Sequence, residues 1–91
     1  MESKEIIYKD AIDKWGLQSQ LNILAEECCE LGQAALKQFR LQNGAGHDKL
    51  AEELADVEIV SEQIIQYCNL RKQVDKWKHI KIERLRDLIN K

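Results

Sequence analysis

The sequence predicts an all-α protein: a four-helix bundle, assembled into a homo-oligomer. Three observations lead there. Proline is absent from all 91 residues, so no long segment carries the strongest helix breaker. Apolar residues recur every three or four positions along most of the chain, the period of an amphipathic helix. And 91 residues make one domain, 1–91, with a core thin enough that association with further copies is expected.

The elements follow in order. Ser3 is placed to cap a first helix and Gly16 to end it, with Ile6, Ile7, Ala11, Ile12 and Trp15 as its core stripe. Ser19 is the expected cap of a second helix over 20–41, whose stripe is Leu21, Leu24, Cys28, Leu31, Ala35 and Phe39. Gly32, Ala34 and Ala35 are small enough to admit a close neighbour. Gln42 to His47, with Gly44 and Gly46, is the clearest break and implies a helical hairpin. Asp48 would cap a third helix over 49–68, with Leu50, Leu54, Val57, Ile64 and Cys68 inward. Asn69 separates it from a fourth helix over 71–90, where Val74, Trp77, Leu85, Leu88 and Ile89 are expected in the core. Ile80 and Ile82 widen that face towards a subunit contact.

Composition narrows the function. The formal net charge is −2, unevenly spread: residues 1–70 hold 13 acids and 6 bases, residues 71–91 hold 8 bases and 3 acids. On charge alone a basic last helix reads first as a solvated helix pairing with acidic neighbours; the alternative is that the acidic body takes a cation and the last helix an anion. Three cysteines, Cys28, Cys29 and Cys68, make a poor disulfide framework and are expected as small buried residues in a reducing cytoplasm. No apolar run reaches the ~20 residues of a membrane span, and the charged N-terminus does not read as a signal peptide. No nucleic-acid-binding signature is present, so nucleic acid is an unlikely partner.

The chemistry concentrates in two phrases, Glu26-Glu27-Cys28-Cys29-Glu30-Leu31 and Glu52-Glu53-Leu54-Ala55-Asp56-Val57. Glu27 with Glu30, and Glu53 with Asp56, are three residues apart, so each pair projects from one face of a helix. Both pairs border a predicted core face. A single ExxE describes a solvated surface well; two, joined by a hairpin, can converge four carboxylates on one point. Like charges so placed call for a cation or for shifted pKa values. Carboxylate oxygens are hard ligands suited to Mg²⁺, with Mn²⁺ as an alternative, and an ion so held keeps open positions for phosphate oxygens and water. A di-iron bundle would need Glu-x-x-His, and neither His47 nor His79 has that spacing.

The run EECCELGQAALK, followed by KLAEELADVEIV, resembles the two-part ExxE…ExxD signature of MazG-like nucleotide pyrophosphohydrolases, the all-α NTP pyrophosphatase superfamily. Twenty-two residues separate Glu30 from Glu53, and the resemblance covers about residues 17–90. It implies a four-helix MazG-like fold that binds Mg²⁺ and hydrolyses a nucleoside triphosphate to monophosphate and pyrophosphate, in nucleotide-pool housekeeping. It implies Glu27, Glu30, Glu53 and Asp56 as metal ligands and catalytic residues, one of them orienting or deprotonating the water. The segment KIERL is similar to one that carries phosphate-binding bases in many relatives, which makes Lys81 and Arg84 candidates, with Lys37 beside them. Many relatives have Asn between those two bases, where this chain has Ile82 and Glu83. Homodimers or homotetramers are implied as well. The alternative is a non-catalytic helical module of the same fold that binds a nucleotide or a protein.

Overall fold

A computed structural model describes residues 2–41 and 47–91. Four helices follow one another, α1 (Lys4–Trp15), α2 (Leu17–Leu41), α3 (His47–Tyr67) and α4 (Arg71–Ile89), and the described residues contain no strand. None of these helices is long and apolar enough to cross a membrane. The Gln42–Gly46 part of the expected break, and the side chain of Phe39, lie outside the described residues.

The helix ends show why the chain divides where it does. Ser3 is the cap of α1: the Ile6 N–H donates to its Oγ at 3.3 Å. Gly16 ends α1 at φ +89°, a backbone conformation that a side chain would strain. The corner into α2 is that one residue. The Gly16 N–H donates to Ile12 O at 2.8 Å and the Gln20 N–H donates to Gly16 O at 3.2 Å, so α2 starts at once. Ser19, the expected cap, is therefore inside the helix. Asp48 is likewise inside the first turn of α3, where its charge favours the helix dipole. The end of α3 is a complete Schellman motif. Asn69 takes φ +55°, its N–H donates to Gln66 O at 3.3 Å, and the Leu70 N–H donates to Ile65 O at 2.9 Å.

The most extensive contact is between α2 and α3; α1 rests on α3 and, less, on α2; α4 meets α3 alone, and sparsely. Among the described residues the buried apolar ones are Ile12, Ala34, Val60 and Ile64, joined by two polar ones, Gln20 and Glu53. Polar ties help to hold α1 to α3, with Gln66 Nε2 donating to Glu5 O at 2.8 Å and Lys4 pairing with Glu62 at 3.5 Å.

The core faces differ from the sequence-based expectation in a consistent direction. On α2 the covered residues are Gln20, Ile23, Leu24, Glu27, Leu31, Ala34 and Gln38, while Leu21, Cys28 and Ala35 are exposed. On α3 Glu53, Val60 and Ile64 are buried and Leu54 and Cys68 are exposed. Each helix is thus turned so that its carboxylate-bearing side enters the contact. The helices have apolar residues on both sides of their acids, and one chain supplies a partner for only one side. Of the small trio, Ala34 alone is buried. All three cysteines are exposed, not buried.

The first and last helices show the same incompleteness. In α1 only Ile12 is buried; Ile6, Ile7 and Trp15 are exposed, and Lys14 lies over the Trp15 ring. In α4 no residue is buried, and Trp77, Leu85, Leu88 and Ile89, expected in the core, are 53–72% exposed. The radius of gyration is 16.0 Å, against about 12 Å for a compact domain of this length. The accessible surface is 7300 Å², against about 5,500 Å² for a compact monomer of this mass.

The small core makes each buried aliphatic count. Ile64→Ala removes buried methylene groups from the contact between helices and is expected to lower the unfolding free energy by about 2–4 kcal/mol, measured by urea titration with circular dichroism.

Candidate metal centre between the second and third helices

The pairs Glu27–Glu30 and Glu53–Asp56 occupy the α2 and α3 faces that meet. One carboxylate oxygen from each of Glu27, Glu30 and Glu53 lies within 4.8 Å of the others. A second group with the same spacing is Glu52, Glu53 and Asp56. The four predicted acids therefore form two overlapping groups that share Glu53. Asp56 is grouped with Glu52, a residue the motif did not single out.

Glu53 is the member that cannot be a surface ornament. It is 3% exposed. Its Oε1 accepts an ion-paired contact from Lys49 Nζ at 2.8 Å. Its Oε2 is buried and has no hydrogen-bond partner among the described residues, and the same holds for Glu27 Oε2. Buried carboxylate oxygens without donors are costly, because water that solvated them is gone and nothing replaces it. Two such oxygens, beside two further acids, form a donor set that fits a hard cation of the Mg²⁺ type.

Electrostatics agrees with the geometry. Removal from water raises the pKa of Glu27 above the ordinary carboxylate value, and the nearby charges of Glu30, Asp56 and Glu53 raise it further. Lys49 moves upward too, through its hydrogen bonds to Glu53 and then Glu52 and through their charges. The Lys49–Glu52 distance is 3.4 Å.

A cavity of about 250 Å³ opens beside the acids, lined by Glu30, Gln33, Ala34, Lys37, Lys49 and Glu53. Lys37, a predicted phosphate ligand, is in this lining. Lys81 and Arg84 are not; they are exposed on α4, which touches only α3. Motif reading missed Lys49, Glu52 and Gln33. Lys49 was within reach of a simpler signal, since it stands four residues before Glu53, the spacing at which helical ion pairs form. Gln33 carried no such signal.

No family model matches this chain, and neither curated proteins nor solved structures yield a match. The likeness to MazG-like enzymes therefore rests on the motif residues themselves.

The raised Glu27 value has a consequence for stability. The folded chain holds that proton more tightly than the unfolded chain does, so the associated stability is full below the ordinary value of 4.5 and is lost as pH rises through the raised folded value. In EDTA, the thermal midpoint is expected to fall across that acidic window, and Glu27→Gln is expected to flatten the slope. Differential scanning fluorimetry across the pH series reads it directly.

Proposed function

We propose that this chain is a Mg²⁺-dependent nucleotide pyrophosphohydrolase, splitting a nucleoside triphosphate into monophosphate and pyrophosphate as part of nucleotide-pool housekeeping. One observation carries the reading: Glu53 is buried between two groups of acids with Oε2 unpartnered. A merely solvating acid would face water. The fit of the surrounding phrases to the ExxE…ExxD signature supplies the substrate class.

In this reading Glu27, Glu30, Glu53 and Asp56 hold the ion or ions, and Glu52 is close enough to join them. A bound Mg²⁺ would offset the charge of the phosphate chain and of the acids. The chain's own groups would do the rest. Glu27, whose pKa is raised by removal from water and by the neighbouring acids, would instead take the proton of the attacking water at its carboxylate if the other acids hold the ion. A P–O bond to that water forms at the α phosphorus, the α–β anhydride bond breaks, and pyrophosphate leaves. Lys37 in the cavity lining would steady the leaving oxygens. Lys81 and Arg84 would serve the phosphates from a neighbouring copy, because within one chain they do not line the cavity.

That arrangement requires a homodimer or homotetramer, and the exposed apolar faces of α4 and α2 support one. The surface of one chain in excess of a compact monomer is about twice the ~800 Å² that each partner buries in a standard interface. Light scattering on the purified chain is expected to give a multiple of 10.6 kDa, and Leu85→Glu with Leu88→Glu is expected to reduce it to one copy. A monomeric wild-type chain would rule the assembly out.

Activity is tested by separating products after incubation with a panel of ribo- and deoxyribonucleoside triphosphates, in Mg²⁺ or in EDTA. Monophosphate and pyrophosphate are expected, abolished by EDTA and reduced by Glu53→Gln about a hundredfold or more. Diphosphate and phosphate would show that the wrong bond has been assigned. Turnover that survives EDTA would remove the metal from the reaction. No turnover across the panel favours an unusual nucleotide substrate first and the binding-module alternative second.

A further inference from the structure

Lys49 does not behave as an ordinary helical ion-pair partner. Its ammonium lies 2.8 Å from Glu53 Oε1 and 3.4 Å from Glu52 Oε1. It thus stands among the oxygens of the acid group formed by Glu52, Glu53 and Asp56. The two partners differ sharply in exposure: the Lys49 side chain is 60% exposed and that of Glu53 is 4%. A conventional i,i+4 pair has both ends in water and contributes little. Here one end is fixed inside the contact between helices and the other can swing out freely.

We propose that Lys49 is the resident cation of the metal-free chain. It holds the charge of Glu53 until a divalent ion takes its place, and it then serves as an anion ligand in the adjoining cavity. The proposal rests on the metal-site reading above and adds a residue and an order of events to it. An ammonium on Glu53 Oε1 and a divalent ion on the unpartnered Oε2 of the same carboxylate would lie close enough to repel each other. The Glu53 side chain is 4% exposed and that of Lys49 60%, so the lysine is the group that moves. The cavity it already lines also holds Lys37 and Gln33. A released Lys49 therefore sits beside a second ammonium and an amide, a donor set for phosphate oxygens next to the metal. The ligand chemistry is a di- or triphosphate chain already bridged to the divalent ion. Metal would thus come first and create the full anion subsite.

The test uses the full chain, with Mn²⁺ alone as the first probe and inorganic pyrophosphate as the second. Mn²⁺ titrations followed by electron paramagnetic resonance are expected to show Lys49→Met binding Mn²⁺ roughly tenfold more tightly than wild type, with Lys49→Arg close to wild type. With Mn²⁺ present, Lys49→Met is expected to lose about tenfold in pyrophosphate affinity, and without the metal to lose none. Lysine acylation read by mass spectrometry gives an answer that needs no variant to fold. On wild-type protein, labelling at Lys49 should rise when Mg²⁺ is added while labelling at Lys4 stays constant. Wild-type chain that binds Mn²⁺ while Lys49→Met binds it no better overturns the role of Lys49 and leaves the metal site standing. Unchanged Lys49 labelling with Mg²⁺ bound does the same. Wild-type chain that binds no Mn²⁺ overturns both.

Discussion

A carboxylate held out of water is the constraint around which this structure is arranged. Glu53 is almost wholly buried between α2 and α3, and the contact that buries it is the largest in the fold. Apolar side chains alone would have made that contact cheaper. Gln20, Glu27 and Gln38 on α2 and Gln63 on α3 each leave a buried polar atom without a partner among the described residues as well. A helix pair lined this way gives up stability in order to keep hydrogen-bonding capacity in its interior. That is the usual economy of a binding site.

The same constraint explains the turn of the helices. Sequence periodicity placed Leu21, Cys28 and Ala35 inside α2 and Leu54 inside α3. The chain instead covers the side that carries Glu27 and Glu53 together with Leu24, Leu31, Val57 and Ile64, leaving Leu21, Cys28, Ala35 and Leu54 exposed. The two sides are alternatives because each helix has apolar residues flanking its acids. What remains uncovered is considerable: α4 buries nothing within the chain, and the molecule is larger in radius and surface than its length requires. The acid-bearing faces are covered by intrachain packing, and exposed apolar residues remain on the outer sides of the helices.

Lys49 links these two aspects. Its ammonium softens the cost of the buried Glu53, and its exposed stem allows it to leave. In the proposed exchange its positive charge would rest on the carboxylate in the metal-free chain and on the phosphates once a metal is bound, and Lys37, in the same cavity lining, would serve only the second state.

Much was legible from the residues alone, for local reasons. Helix number and the corners at Gly16 and Asn69 follow from periodicity and from which residues tolerate positive φ. That Glu27 would meet Glu30, and Glu53 meet Asp56, on single faces follows from 3.6 residues per turn. Which face turns inward did not follow, because apolar residues lie on both sides of the acids and only packing against a particular neighbour chooses. The sharing of Glu53 between two acid groups, the inclusion of Glu52 and the seat of Lys49 are likewise products of tertiary approach. Sequence determined that this is a helical chain with paired acids; the packing of α2 on α3 decided which acid loses its water, since desolvation depends on what lies opposite and not on spacing along the chain.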